Sequence, residues 1–227
     1  MSNEVVCIPF TAVSGDGTRE FEIDNGRPAM QRTIGFWKNW ASCSGSKGGQ
    51  APILDQTLAK GPWVDLDEDD VMDLGENGFW IGDLFVGSCS DAVHLLNKTP
   101  IDGTRNKASD PAFNVAAQQV AFQLNVLIPS DTTCLAANAS ADYVQDYLDQ
   151  VGFTGLSAWA YNWKTLNGPK IAANLNFLSA VLDHYNNDTL KFGATISGKT
   201  VDCSTVLTTV LPDLSTLPPA GSHNALP

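Results

Sequence analysis

A mainly α fold (α+β), a helical body flanked by N- and C-terminal β-hairpins, is what this sequence predicts, on three observations. From about residue 110 the apolar residues recur every three or four positions, the period of helices that bury one face. The first 24 residues and the stretch after Asn187 are rich in Val, Ile, Thr and Phe broken by turn residues, as strands are. Proline or a capping side chain opens several of the helical stretches. The chain divides accordingly into an N-terminal β segment (1–29), a helical body (30–188), a C-terminal β segment (189–211) and a Pro-rich tail (212–227) expected to be extended. The two β segments are expected to pair into one small sheet.

Taken in order, EVVCIPFTAV and TREFEI flank the turn sequence SGDG and read as a hairpin. A short helix carries MQRTIGFWKNW, and SGSKGGQ after it is a Gly/Ser-rich loop. PILDQTLAK places proline in a helix first turn, FWIGDLFV (79–86) reads as a strand, and SDAVHLLN as a short helix. Asp110 followed by Pro111 is an N-cap and first-position pair. Behind it Phe113, Ala117, Val120, Leu124 and Ile128 line one face, and Pro129 ends the helix. ADYVQDYLDQVG gathers Tyr143, Tyr147, Leu148 and Val151, with Gly152 at the C-terminal cap position. LSAWAYNWKTLNG spaces Trp159 and Trp163 as helical neighbours that stack. PKIAANLNFLSAVLDHYNN aligns Ile171, Leu175, Leu178, Leu182 and Tyr185. KFGATIS and TVDCSTVLTTV then read as two strands around a Gly-Lys turn.

Composition narrows the function classes. Twenty-five acidic against 13 basic residues give a formal charge of −12, which repels phosphate backbones, so nucleic acid is excluded as a partner. No apolar run approaches the roughly 20 residues a bilayer span needs, so membrane insertion is not expected. MSNEVVCIPF lacks a basic leader and a long apolar run and does not read as a signal peptide. The five cysteines, Cys7, Cys43, Cys89, Cys134 and Cys203, form no C-x-x-C pair and no zinc-finger spacing with histidine. Scattered through a Lys-poor chain, they read as disulfide partners in an oxidising compartment, one being left over by the odd count. Cys7 and Cys203 pair if the terminal strands share a register; Cys134 is unassigned.

RTIGFWKNWASCSG, GQAPILDQTLA, CSDAVHLLNK, SDPAFNVAAQQVAFQLN and LDHYNN, in that order, carry a resemblance. Together they resemble a module of secreted and cell-surface bacterial proteins marked by a G-[FY]-W-K-N segment and a DPA-N-AAQ-AA-LN helix. The resemblance covers residues 32–188. It implies secretion and a Cys43–Cys89 disulfide, since both cysteines sit inside matching motifs, and brings no catalytic residues with it.

The sharpest chemical signal is an acidic run. Asp65, Asp67, Asp69, Asp73 and Glu76 stand at positions 1, 3, 5, 9 and 12 of an EF-hand-type loop, a spacing that turns carboxylate oxygens toward one calcium ion. Position 6 is Asp70 where that loop needs glycine, and Pro62 stands where an entering helix would run. The expectation is therefore a looser calcium loop, weighed against a solvated acidic surface. Trp40, Trp63 and Trp80 are candidate sugar-stacking rings, weighed against core packing. Asp91 and His94 share a helix face, and no G-x-S-x-G elbow or glycine-rich phosphate loop occurs. The Asn-x-Ser/Thr triplets at Asn97, Asn138 and Asn187 are what an Asn- and Thr-rich chain produces by composition.

The expected function is a non-catalytic extracellular or cell-surface module, structural or interacting, serving surface display, adhesion or assembly, with calcium as the candidate stabilising ion. Its partners would be other protein chains, surface glycans or further copies of itself. The rival expectations are a secreted hydrolase acting on a polysaccharide or polymer ester, and a carbohydrate-binding module.

Overall fold

A computed structural model describes residues 31–44, 52–68, 75–128 and 133–217. Among them the chain is mainly α, with six α-helices and two separate two-stranded antiparallel sheets. The N-terminal β segment, Cys7 and residues 218–227 lie outside the described residues, as does any sheet they would form.

Helix α4 (Pro111–Val126) is the centre. Asp110 caps it by accepting the Ala112 N–H, and Pro111 occupies the first turn where no N–H partner is needed. Twelve of its sixteen residues are buried, so the helix runs through the core on nearly every side. Around it lie α1 (Ile34–Asn39), α3 (Cys89–Leu96), α5 (Leu135–Gln150) and α6 (Gly168–Asn186), while α2 (Ile53–Leu58) packs on α1 and α3. Asn114 Nδ2 donates to Ser179 Oγ, Gln118 Nε2 to Asp183 Oδ1, and Asn125 Nδ2 to Asn186 Oδ1 at 3.3, 2.7 and 2.9 Å. The two residue numbers rise together, so α4 and α6 run parallel. Tyr147 near the end of α5 meets Asn174 near the start of α6, so α5 runs against both.

Helix α5 is the return between the parallel pair, and residues 151–167, which contain no helix, join it to α6. The segment expected to stack Trp159 on Trp163 is irregular: Asn162 Oδ1 accepts the Lys164 N–H, a local bond that competes with helical ones. Trp159 packs edge-on against Phe113 and Phe153, and Trp163 pairs with Tyr161. The segment is held by the equally irregular loop after α3. Asp102 accepts from Ser157 N and Oγ at 2.6 and 2.9 Å, and Lys107 Nζ donates to the Ser157 and Trp159 carbonyls.

FWIGDLFV is a hairpin rather than one strand: β1 (Phe79–Ile81) pairs with β2 (Leu84–Val86). Gly82 turns the chain with φ +58, and a Cβ there would stand 2.8 Å from the Phe153 carbonyl oxygen. Gln145 holds the turn on α5, taking the Gly82 N–H and donating to the Gly82 carbonyl at 3.1 Å each. The second hairpin, β3 (Ala194–Ile196) and β4 (Lys199–Val201), turns at Ser197-Gly198, one residue before the expected Gly-Lys. Asp202 ends β4 by accepting from Ser204 and Thr205.

That ending redirects the cysteine. A disulfide joins Cys203 to Cys134, not to Cys7, because the turn delivers Cys203 to the start of α5, where its carbonyl accepts the Ala136 N–H. A second disulfide joins Cys43 to Cys89.

Helices α3 and α6 end alike. In His94–Thr99 and His184–Thr189 the fifth residue takes φ +58 and the last N–H returns to the histidine carbonyl, a Schellman cap built without glycine. Each threonine hydroxyl also donates to that carbonyl. Gly152 occupies the equivalent position after α5.

Residues 212–217, the start of the expected extended tail, are docked instead. The Asn174 side chain takes the Asp213 N–H and donates to the Asp213 carbonyl, to Thr216 Oγ1 and to the Tyr147 hydroxyl, and Lys170 pairs with Asp213. Burial pushes the Tyr147 phenol up, against the opposing pull of its hydrogen bonds to Thr216 and Asn174.

Tyr147→Phe removes one member of this buried set and should lower the unfolding free energy by about 1–2 kcal/mol, read by urea denaturation. An unchanged midpoint would mean the hydroxyl is dispensable. Asp102, Asp202 and Asp213 are each held below the ordinary aspartate range, first of all by hydrogen bonds from Ser157, Ser204 and Ser215. Depressed carboxyl groups stabilise the fold above their unfolded values and lose that contribution as pH falls through the folded ones. Melting temperature should therefore begin to fall at about pH 4 and below. Asp213→Asn should flatten that fall, and an identical slope would remove Asp213 from the account.

Candidate functional site

The acidic loop is built on backbone contact. Residues 61–66 and 75–78 run antiparallel as two arms: Val64 N–H donates to the Glu76 carbonyl at 2.9 Å, Gly78 N–H to Pro62, and Trp63 bridges Asn77. Gly61 and Gly78 let the arms touch, since a Cβ on Gly61 would lie 2.7 Å from the Gly78 carbonyl oxygen. A Cβ on Gly78 would run into the Val86 carbonyl oxygen of β2. The sequence marks these glycines as turn residues; only the fold shows them as points of close approach.

Glu76 lies at the base between the arms, 4% exposed. Its Oε2 accepts the Trp63 indole N–H and its Oε1 the Leu66 backbone N–H, both at 3.0 Å. Above it, Asp65 is half-buried and Asp67 exposed, and Glu68 turns the chain at φ +63. Asp65, Asp67 and Glu76 each bring an oxygen to within 4.8 Å of the other two. Three carboxylate oxygens this close together are a set that could hold a hard cation. Asp69 and Asp73 lie outside the described residues. The flanks are ladder arms, not helices, so the loop is not an EF-hand.

The three candidate stacking rings are not brought together. Trp40, half-buried at the end of α1, stacks on Phe36 with centroids 5.6 Å apart, and the Arg32 guanidinium covers the same Phe36 ring. Trp80 on β1 is half-buried against Phe85. Trp63 is 38% exposed, tethered by its indole N–H to Glu76. Among the described residues no ring contact joins the three. Trp37, by contrast, is fully buried, and its indole N–H has no hydrogen-bond partner among the described residues.

The remaining candidates serve the backbone. Asp91 accepts from Ser88 Oγ at the start of α3, while the His94 ring lies 3.4 Å from Thr99 Oγ1 at its end. The His184 ring meets Thr189 Oγ1 at 2.9 Å in the matching cap. Asn138 lies within α5, where Ser140 is buried and donates to the Ala136 carbonyl.

Sequence reading passed over the amides Asn114, Gln118 and Asn125 on α4. Their signal was available: polar residues at helical spacing within a run otherwise apolar all round. No protein family, curated protein or solved structure matches the chain.

Gly78→Ala should cost roughly 3 kcal/mol or more, because the obstacle is backbone rather than a side chain that can turn aside. Thermal melting reads it. A loss below about 1 kcal/mol would show that the arms can separate without harm to the fold.

Proposed function

We propose that the chain is a non-catalytic extracellular module of surface display, adhesion or assembly, its acidic loop clasped by a calcium ion. The observation that carries the reading is the convergence of Asp65, Asp67 and Glu76 on arms held by backbone contact. Two disulfides are compatible with an extracellular setting, and no helix among the described residues is long and apolar enough to cross a membrane.

Exposure of Trp63 beside these carboxylates favours a glycan-binding face as the second reading, because an open ring and adjacent oxygen acceptors suit a sugar ring and its hydroxyls. Trp63 fluorescence unchanged across a glycan panel removes it.

Calcium is tested with terbium(III), a hard ion whose luminescence is excited through a nearby indole. EDTA-treated protein should give tryptophan-sensitised emission that calcium displaces, that Asp65→Asn with Asp67→Asn abolishes, and that Trp63→Phe weakens. Calcium at about 100 times its dissociation constant should stabilise the fold by about 2.7 kcal/mol. No emission, together with a melting temperature indifferent to EDTA and calcium, would overturn the clasp. Assembly is read separately by sedimentation with calcium present, and a strictly monomeric chain at high concentration would overturn that part.

A further inference from the structure

The two disulfides differ in setting. Cys134 is 3% exposed at the start of α5 and belongs to the core, and its partner Cys203 is half-buried. Cys43 is exposed in the short turn after α1, and its partner Cys89 is the half-buried first residue of α3. Only the second bond offers a sulfur on an exposed residue to an incoming thiolate.

Its two ends are also unlike each other. The Cys43 backbone N–H points at Cys89 Sγ at 3.3 Å. Cys89 stands where the first N–H groups of α3 have no intrahelical partners. Negative charge arriving on Cys89 Sγ thus meets donors already in place. The carboxylates facing it are engaged: Asp55 accepts Ser42 N–H and Oγ–H at 2.9 and 2.6 Å, and Asp91 accepts Ser88 Oγ–H at 2.7 Å. Their charges oppose a thiolate, so the choice of attacked sulfur falls first to access.

We propose that Cys43–Cys89 is an exchangeable disulfide, attacked at Cys43 with Cys89 as leaving group, while Cys134–Cys203 is a permanent staple. The co-reactant is a thiol, and for full reduction a second thiol or a dithiol. The incoming thiolate forms a bond to Cys43 Sγ, the Cys43–Cys89 bond breaks, and its electron pair leaves on Cys89, which takes a proton. A second thiolate then attacks the outer sulfur of the mixed disulfide and releases Cys43, also protonated. Two electrons pass to the protein and the two thiols end as one disulfide. Reduction frees the turn at 42–44 from α3 while α4, α5 and α6 stay bonded as before. The proposal stands on the two settings and does not depend on the calcium loop.

The full chain carrying Cys7→Ser, which removes the fifth cysteine, is treated with graded glutathione, quenched in acid, alkylated and mapped by peptide mass. The expected result is at least tenfold faster opening of Cys43–Cys89 than of Cys134–Cys203, with the early glutathione adduct on Cys43. Circular dichroism should hold its helical signal at that stage. Parallel opening of both bonds, resistance of both under native conditions, or an early adduct on Cys89 would overturn it. If Cys7→Ser fails to fold, the same mapping on the unaltered chain decides, because the Cys7 peptide is counted separately.

Discussion

A helix buried along most of its length must find partners inside the protein for the polar side chains it buries, and α4 carries several. Asn125 is the node where this constraint is met. Its side chain takes the Arg32 N–H and gives to the Arg32 carbonyl, at 2.7 and 2.9 Å, while also reaching Asn186 on α6. Asn186 in turn donates to both the carbonyl and the side-chain oxygen of Gln118. Such a chain of amides is satisfied in one register only, since sliding α6 by one residue along α4 would strand several buried groups at once. The lead-in to α1, the centre and α6 are thus fixed by one set of bonds, and α5 joins them through Gln119 Nε2 to the Ala141 carbonyl and Asn174 Nδ2 to the Tyr147 hydroxyl.

Much of this was legible because local chemistry and tertiary position agreed. Asp110-Pro111 states a helix start in two residues, and the apolar spacing behind it survives into the core. Where they disagreed the reading failed. Gly82 sits inside an apolar run that reads as one strand, and the bonds from Gln145 that hold its turn come from 63 residues away. Trp159 and Trp163 have helical spacing, yet their segment is governed by Asp102 and Lys107 from another loop. The tail was read from its prolines, whereas Asn174 decides the course of its first residues.

The candidate site follows the same division. Alternating aspartates before a glutamate mark the loop in sequence, and Asp65, Asp67 and Glu76 do meet. The arms that bring them together rest on glycines whose meaning is the absence of a side chain between two backbones, which no spacing rule reports. Trp63 reads from sequence as one ring among six, and its tether to Glu76 exists only through the pairing of the arms.

The two disulfides close loops spanning 46 and 69 residues that follow one another along the chain without overlapping. Under tension applied at the termini, load crosses each loop through sulfur and bypasses the residues inside. At about 3.4 Å of contour per extended residue, roughly 400 Å of chain is withheld from stretching. All of α5 and all of α6 lie within the second loop. A pulled molecule would lengthen first in its unbridged stretches and keep the α5–α6 pair folded behind a covalent shunt.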